Sequence, residues 1–434
     1  MSDFDLLVRG NEQDIGITDE KIVALAPNLS GSANTEIDAT GLAIFPGVID
    51  AHVHFNEPGR TDWEGFASGS RAAAAGGTTT VFEMPLNAHP PTTNREAFEM
   101  KLAPAEANSF VDFGLWGGLV PGNLDQLEAL RDCGVVGLKA FMCNSGIGDF
   151  QHVDLATLRA GMERASRLDM LVAVHAESEE MTGALMGAAR AAGKMNVRDY
   201  LDSRPVAAEL EAIRAAIDIA AETGCRLHIV HVSCGSGVAL VAEARRRGVD
   251  VTCETCPHYL VLMDEDMERL GAVAKCAPPL RSGDEQRRLR EQLPDITTIG
   301  SDHSPSPPEL KERENFFDVW GGIAGCQHLL RLLIDADIPA AEIQRLTNAH
   351  VASRFRIRAK GGLAIGNDAD FSLVGPTPEV ITTESLHYRH KQSPYIGRTV
   401  RARVRHTFLR GQMIFDDGKF CAAPIGRFVK PDPP

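Results

Sequence analysis

A chain of 434 residues is long enough for one large barrel or for two to three domains. Its composition, 44% hydrophobic and 24% charged, is that of an ordinary globular protein, and a net charge of -15 argues against a nucleic-acid or anionic-membrane surface, which would draw on clusters of Lys and Arg. No run approaches the ~20 apolar residues that span a bilayer, "MSDFDLLVRG" lacks the succession of a signal peptide, and nine scattered cysteines read as reduced thiols, so the expectation is a cytoplasmic protein.

In chain order, residues 2–44 read as short strands with turn signals such as "TDEK". From Phe45 to about Arg358, short β-branched runs then alternate with Ala-, Leu- and Arg-rich segments of helical period, the pattern of βα units on a parallel sheet. The strand candidates are "GVIDAHVHF", "TTTVFEMPLN", "FVDFGLWGGLV", "GVVGLKAFMC", "MLVAVHAE", "RLHIVHVSC", "VDVTCETCPHYL" and "ITTIGSDHSP". Eight such runs close naturally into a (β/α)8 TIM barrel. Between them, "DLATLRAGMERASRLD" predicts a helix capped by Asp154, and "AELEAIRAAIDIAAETG" one stopped by Gly224. Residues 360–420 return to short strands and turns such as "DDGK". Neither end has enough strands to bury a face alone, so the two should meet as one small β-sandwich domain. The expected division is 1–45 and 359–434 for that domain and 46–358 for the barrel.

Catalytic side chains of such barrels converge from the C-terminal ends of several strands. That filter picks out His52 and His54 on the first strand, Lys139 on the fourth, His175 on the fifth, His231 on the sixth and Asp302 on the eighth. Each has a plainer reading. An isolated H-x-H is as easily a chance pair, His175 alone could be a hydrogen-bonded core histidine, and Asp302 could cap a helix. His228 competes with His231, but the odd spacing puts it on the opposite face. Lys139 is harder to explain away, because a lysine inside the apolar run "VVGLKAFM" needs a partner or a modification. A desolvated amine is nucleophilic, and carbon dioxide turns it into a carbamate with two oxygens able to bridge two cations. Two imidazoles with Asp302 on one divalent ion and two imidazoles on the other would complete a two-metal site.

Several stretches together carry a resemblance: "FPGVIDAHVHFNEPGRTDWEGF", "GLKAFMCNSGIGDF", "CETCPHYL", "IGSDHSPSPPELK", "WGGIAGCQ" and "KGGLAIGNDAD". The chain resembles the amidohydrolase superfamily over almost its whole length, in the cyclic amidohydrolase branch of dihydroorotases, hydantoinases and allantoinases, and is most similar to the last. The resemblance implies a binuclear centre with His52, His54, Lys139 as N6-carboxylysine, His175, His231 and Asp302 as ligands, and commonly a homotetramer. Zinc is the first expectation, with iron, cobalt and manganese as alternatives, and Asp302 is the expected proton carrier. Dihydroorotases carry an arginine two residues after the second histidine, where this chain has Asn56. An asparagine suits a neutral ureido group better than a carboxylate, although Arg60 is near enough to substitute. The implied reaction is hydrolysis of allantoin to allantoate, with dihydroorotate and other cyclic ureides as alternatives. Asn144, Ser145 and Ser304 are further candidates for holding the ring, "KCAPPLRS" should lend backbone groups, and His258 could face either the ligands or the substrate. The C-x-x-C of "CETC" reads as packing.

Overall fold

The computed structural model describes residues 2–433. Eight parallel strands follow one another in chain order: Val48–Val53, Thr78–Glu83, Asp112–Leu115 continued by Gly117–Gly118, Leu138–Phe141, Leu171–His175, Arg226–Ile229, Val251–Thr255 and Thr298–Ile299. Each pairs with the next. A parallel bridge from Val53 to His303 closes the ring, and there the His54 N–H donates to the His303 carbonyl at 2.7 Å. This is the TIM barrel that the alternating sequence predicts.

The third run differs from a single strand. It breaks at Trp116, the piece before pairing with the second strand and the piece after with the fourth. The break lets Trp116 turn inward and donate its indole N–H to the Ala51 carbonyl at 3.1 Å. Gly137 makes room, since a Cβ there would lie 2.6 Å from the tryptophan ring. Trp116 joins Ile49, Ala51, Phe82, Ala173 and Phe355 in the apolar filling of the barrel. The outer helices bury one face each. In Val206–Thr223 that face is Ala208, Ala212, Ile213, Ala216, Ile217 and Ala220, at helical spacing. Both expected helix ends are present: Asp154 accepts the Thr157 N–H at 2.7 Å, and Gly224 takes the left-handed C-cap at φ 66°.

The two chain ends build two sheets. Phe4–Arg9, Asp14–Thr18, Lys21–Ala26 and Ala33–Asp38 form one, and Ala43–Pro46, Phe371–Gly375, Arg403–Leu409, Gln412–Asp416 and Lys419–Phe420 form the other. Leu6, Val8, Ile15, Ile22, Phe371, Leu373 and Phe408 share one apolar cluster between them. Where these sheets meet the barrel, buried Lys360 reaches Asp112 at 2.6 Å, Asp368 at 2.9 Å and Asp370 at 2.5 Å. No helix among the described residues is long and apolar enough to cross a membrane.

Candidate metal centre

At the C-terminal mouth of the barrel the strand-end residues converge. His52 and His54, two apart on the first strand, hold their rings 5.4 Å apart. Asp302 Oδ1 lies 3.2 Å from His52 Nε2 and 3.4 Å from His54 Nε2, so each residue offers a ligand atom within 4.8 Å of the others. Beside them His175 Nδ1 and His231 Nε2 stand 3.0 Å apart, and the His231 ring is 5.4 Å from that of His52. Lys139 comes up among them with its Nζ fully buried and without a hydrogen-bond partner among the described residues. Phe141, two residues on, lies under that amine at 5.0 Å and stacks on His175 at 4.6 Å.

Three imidazoles are held from behind. His52 Nδ1 meets Glu254 Oε1 at 2.7 Å, His54 Nδ1 meets the Leu86 carbonyl at 2.7 Å, and His175 Nε2 meets Glu177 Oε2 at 2.8 Å. Each acceptor draws the N–H to that side and leaves the other ring nitrogen with a lone pair toward the mouth. Burial lowers the pKa of His52, His175 and His231 and keeps them neutral. It also pushes the Lys139 amine down to about 8, against the pull of Asp302 and Glu254, and raises the Glu254 carboxyl to about 8. Burial works to raise Asp302, but His52 and His54 reverse it and hold that carboxyl well below the usual range. Four imidazoles, an ionised carboxylate and an unpartnered amine are a donor set that suits divalent ions of the zinc type. The orphaned Lys139 Nζ fits a group completed by something more than protein side chains.

Backbone strain marks the same place. Asn56, His231 and Asp302 adopt φ of 67°, 41° and 47°, a region that costs a non-glycine residue about 1 kcal/mol or more. At His231 the strain also breaks the alternation on which the His228 reading depended. His228 is not on the opposite face. It sits inside the barrel, one layer deeper, bonded to Thr252 Oγ1 at 2.7 Å and packed 5.8 Å from the Phe355 ring.

Above the ligands opens a cavity of about 350 Å³. Asn144, Ser145 and Ser304 line it, as do Lys275, Cys276 and Ala277 from "KCAPPLRS". Asn56 does not. It is fully buried, its amide donating to the Pro305 carbonyl at 3.3 Å while its Oδ1 accepts from Asn87 at 3.0 Å. The left-handed backbone at Asn56 turns its side chain under the loop, and Asn87 is the amide that reaches the cavity. Arg60 is likewise outside, spent on the Asn87 carbonyl. His258 is buried behind the wall with neither ring nitrogen bonded, its pKa pushed down to about 4 by burial.

The amidohydrolase family model matches residues 43–414. The chain belongs to the amidohydrolase family. The allantoinase of Rubrobacter xylanophilus is 55% identical over 99% of this chain and 98% of its own length, and that of Deinococcus radiodurans is 48% identical over 99% of each. Among solved structures, the L-hydantoinase (dihydropyrimidinase) of Arthrobacter aurescens superposes with a TM-score of 0.95 at 34% identity, covering 98% of this chain and 100% of that one. The dihydropyrimidinase of Brevibacillus agri gives 0.90 at 30% identity over 99% of each.

In this amidohydrolase several participants escape a reading of strand ends. Glu254 sits between the two cysteines of "CETC" and Glu177 follows His175 in "VHAES". A carboxylate inside or just past a buried strand was the available signal for both. Asn87 and Arg204, which also line the cavity, lie in irregular segments with no periodicity to place them.

Proposed function

We propose that this chain hydrolyses a neutral cyclic ureide, allantoin, opening its hydantoin ring to allantoate. The observation that carries the substrate class is the state of the cations on the cavity wall. Arg204 is paired with Glu177, Arg190 with Asp318 at 2.7 Å, and Lys275 donates to the carbonyls of Phe316, Phe317 and Val319 at 2.6, 3.3 and 2.6 Å. Each of these cations is already engaged, so among the described residues no free one faces the cavity for the carboxylate of dihydroorotate, and an unpaired buried charge is costly. Asn87, Asn144 and Ser304 offer uncharged donors and acceptors instead. The two allantoinase relatives support the same substrate.

In this reading His52, His54 and Asp302 would hold one divalent ion and His175 and His231 a second, zinc by expectation, with iron, cobalt or manganese as alternatives. The Lys139 amine, brought down to about 8 by burial, would in its deprotonated form add carbon dioxide with loss of a proton, and the carbamate would supply two further oxygen donors for these ions. Such ions lower the pKa of water and polarise a carbonyl. Asp302, kept ionised by its histidines, accepts a proton from the water that attacks the ring carbonyl and returns it to the ring nitrogen as the C–N bond breaks. The water oxygen ends in the new carboxylate, one proton on the ureido nitrogen and the other in solvent. Asn56 acts one step removed, holding Asn87 in place. The working protein is taken as a cytoplasmic homotetramer, with a barrel of 46–358 and a β domain of 1–45 and 359–434.

The test is kcat/KM across allantoin, dihydroorotate and simple hydantoins, on protein purified without chelator and analysed for metal. Two ions per chain are expected, with allantoin ahead of dihydroorotate by about 100-fold, the equivalent of about 2.7 kcal/mol. Faster turnover of 5-substituted hydantoins would replace allantoinase by hydantoinase, and preference for dihydroorotate would sink the argument from the cations.

A further inference from the structure

The two halves of the centre are held differently. On the His52/His54 side the backing groups are Glu254 and the Leu86 carbonyl. On the other side the His175 Nε2–H donates to Glu177, and Glu177 is clamped by Arg204. The Arg204 carbonyl accepts from Arg281. Arg281 then pairs with Glu209 at 2.9 Å and donates to Ser233 Oγ at 2.8 Å. Glu209 accepts the Ser233 N–H at 2.8 Å and the Ser233 hydroxyl as well. Ser233 is two residues past His231. The His231 ring has no partner at Nδ1 among the described residues, so its aim depends on its backbone, which is held at φ 41° between its own N–H, on Glu254 Oε1 at 3.3 Å, and the Ser233 N–H, on Glu209.

A single buried network thus starts at the ring of His175 and ends at the chain carrying His231, the two imidazoles whose nitrogens face each other at 3.0 Å. It contains two carboxylates and two guanidinium groups, so its charges cancel internally. Glu177 and Glu209 are almost completely buried and Arg281 nearly so. Nothing in the hydrolytic step uses these four side chains, and a buried ionic network of this kind is more often kept for specificity of arrangement than for stability.

We propose that Glu177, Arg204, Arg281 and Glu209 are positioning residues that fix His175 and His231 as a pair, so that one of the two metal ions, and only that one, depends on them. Glu177 sets the tautomer of His175 with its Nδ1 lone pair toward the mouth, and Glu209 anchors the Ser233 end of the backbone that aims His231, whose own N–H rests on Glu254. The inference rests on the two-ion reading given above.

The experiment is metal retention, read apart from turnover: ions per chain for the metal-loaded protein against rising chelator, for wild type, Glu177→Ala, Glu177→Gln and Glu209→Gln, with circular dichroism to confirm folding. Loss of a carboxylate that orients a ligating histidine weakens metal binding about 10- to 100-fold. Glu177→Ala should therefore release one ion at about 10- to 100-fold lower chelator while the other leaves at the wild-type midpoint. Glu177→Gln keeps an acceptor for the His175 N–H and should recover part of the shift, and Glu209→Gln should move the same ion by a smaller factor. Should Glu177→Ala fail to fold, Glu177→Gln decides alone: a selective shift of one ion supports the proposal. Two ions released at wild-type midpoints, or both shifted together, overturn it. A wild type that never holds two ions overturns the two-ion reading itself, a result distinct from wild-type behaviour in the variants.

Discussion

Lys139 and Lys360 are both buried, 0% and 8% exposed, and their surroundings are opposite. Three carboxylates lie within 2.9 Å of Lys360, and they raise its pKa against the effect of burial. Lys139 has an aromatic face beneath it and no hydrogen-bond partner among the described residues, and burial brings its amine down to about 8. A lysine that serves the fold is surrounded by what neutralises it. Lys139 is left with its amine open, and the proposed carbamate would account for that difference.

The contrast is sharpest in substitution. Lys139→Ala should reduce kcat/KM by at least about 10⁴-fold, about 5.5 kcal/mol of barrier, with thermal unfolding close to wild type, and a short carboxylic acid in the buffer should restore part of the rate. Retention of turnover by Lys139→Met would make this lysine an ordinary core residue.

Lys360→Met should do the reverse. Asp112 keeps Arg410 and Asp368 keeps Lys21, but Asp370 is left buried without a cation, which costs about 3–5 kcal/mol of stability, while the activity of the folded fraction is unchanged; denaturant unfolding and specific activity measure the two. The pH dependence carries a sign. Burial already raises the Asp370 carboxyl and Lys360 opposes it, so without the lysine it rises further above its unfolded value; the variant's native state takes up a proton as pH falls, and its deficit relative to wild type should shrink between pH 7 and 4. A deficit that grows on acidification would show that the carboxylates are not what Lys360 neutralises.

A third lysine makes the smallest change. Lys275, brought down to about 7 by burial, is satisfied by three carbonyls of the loop lining the cavity. Lys275→Met should loosen that loop and raise KM about tenfold, in line with about 1.5 kcal/mol for a charged hydrogen bond, with kcat little altered. An unchanged KM would place the loop's order elsewhere.

The sequence announced the barrel because its strands alternate regularly with helical segments, and it announced His52, His54, Lys139, His175, His231 and Asp302 as a set because strand ends of one barrel share a mouth. What it hid depends on local backbone geometry. Asn56 looked like a substrate contact from its distance along the chain to His54, but a left-handed φ of 67° turns it inward. His228 was misplaced for a related reason, the strained residue at His231. The third strand read as continuous because nothing in "FVDFGLWGGLV" says that Trp116 will leave the sheet for the barrel interior. Three members of the Lys360 clasp lie in the motif "KGGLAIGNDAD", which does not itself say that they pair, and the fourth, Asp112, is far away in sequence and could be found only in space.

The sheet joined from both ends of the chain bears on how the molecule is made. Leu6, Val8, Ile15 and Ile22 face Phe371, Leu373 and Phe408, so during synthesis the earlier of these surfaces must wait until the later one has been made. At ordinary translation speeds that interval is roughly 20–70 s. Throughout it an apolar four-stranded sheet has no cover, which makes this N-terminal segment the natural client of a chaperone and the point at which interrupted synthesis would aggregate.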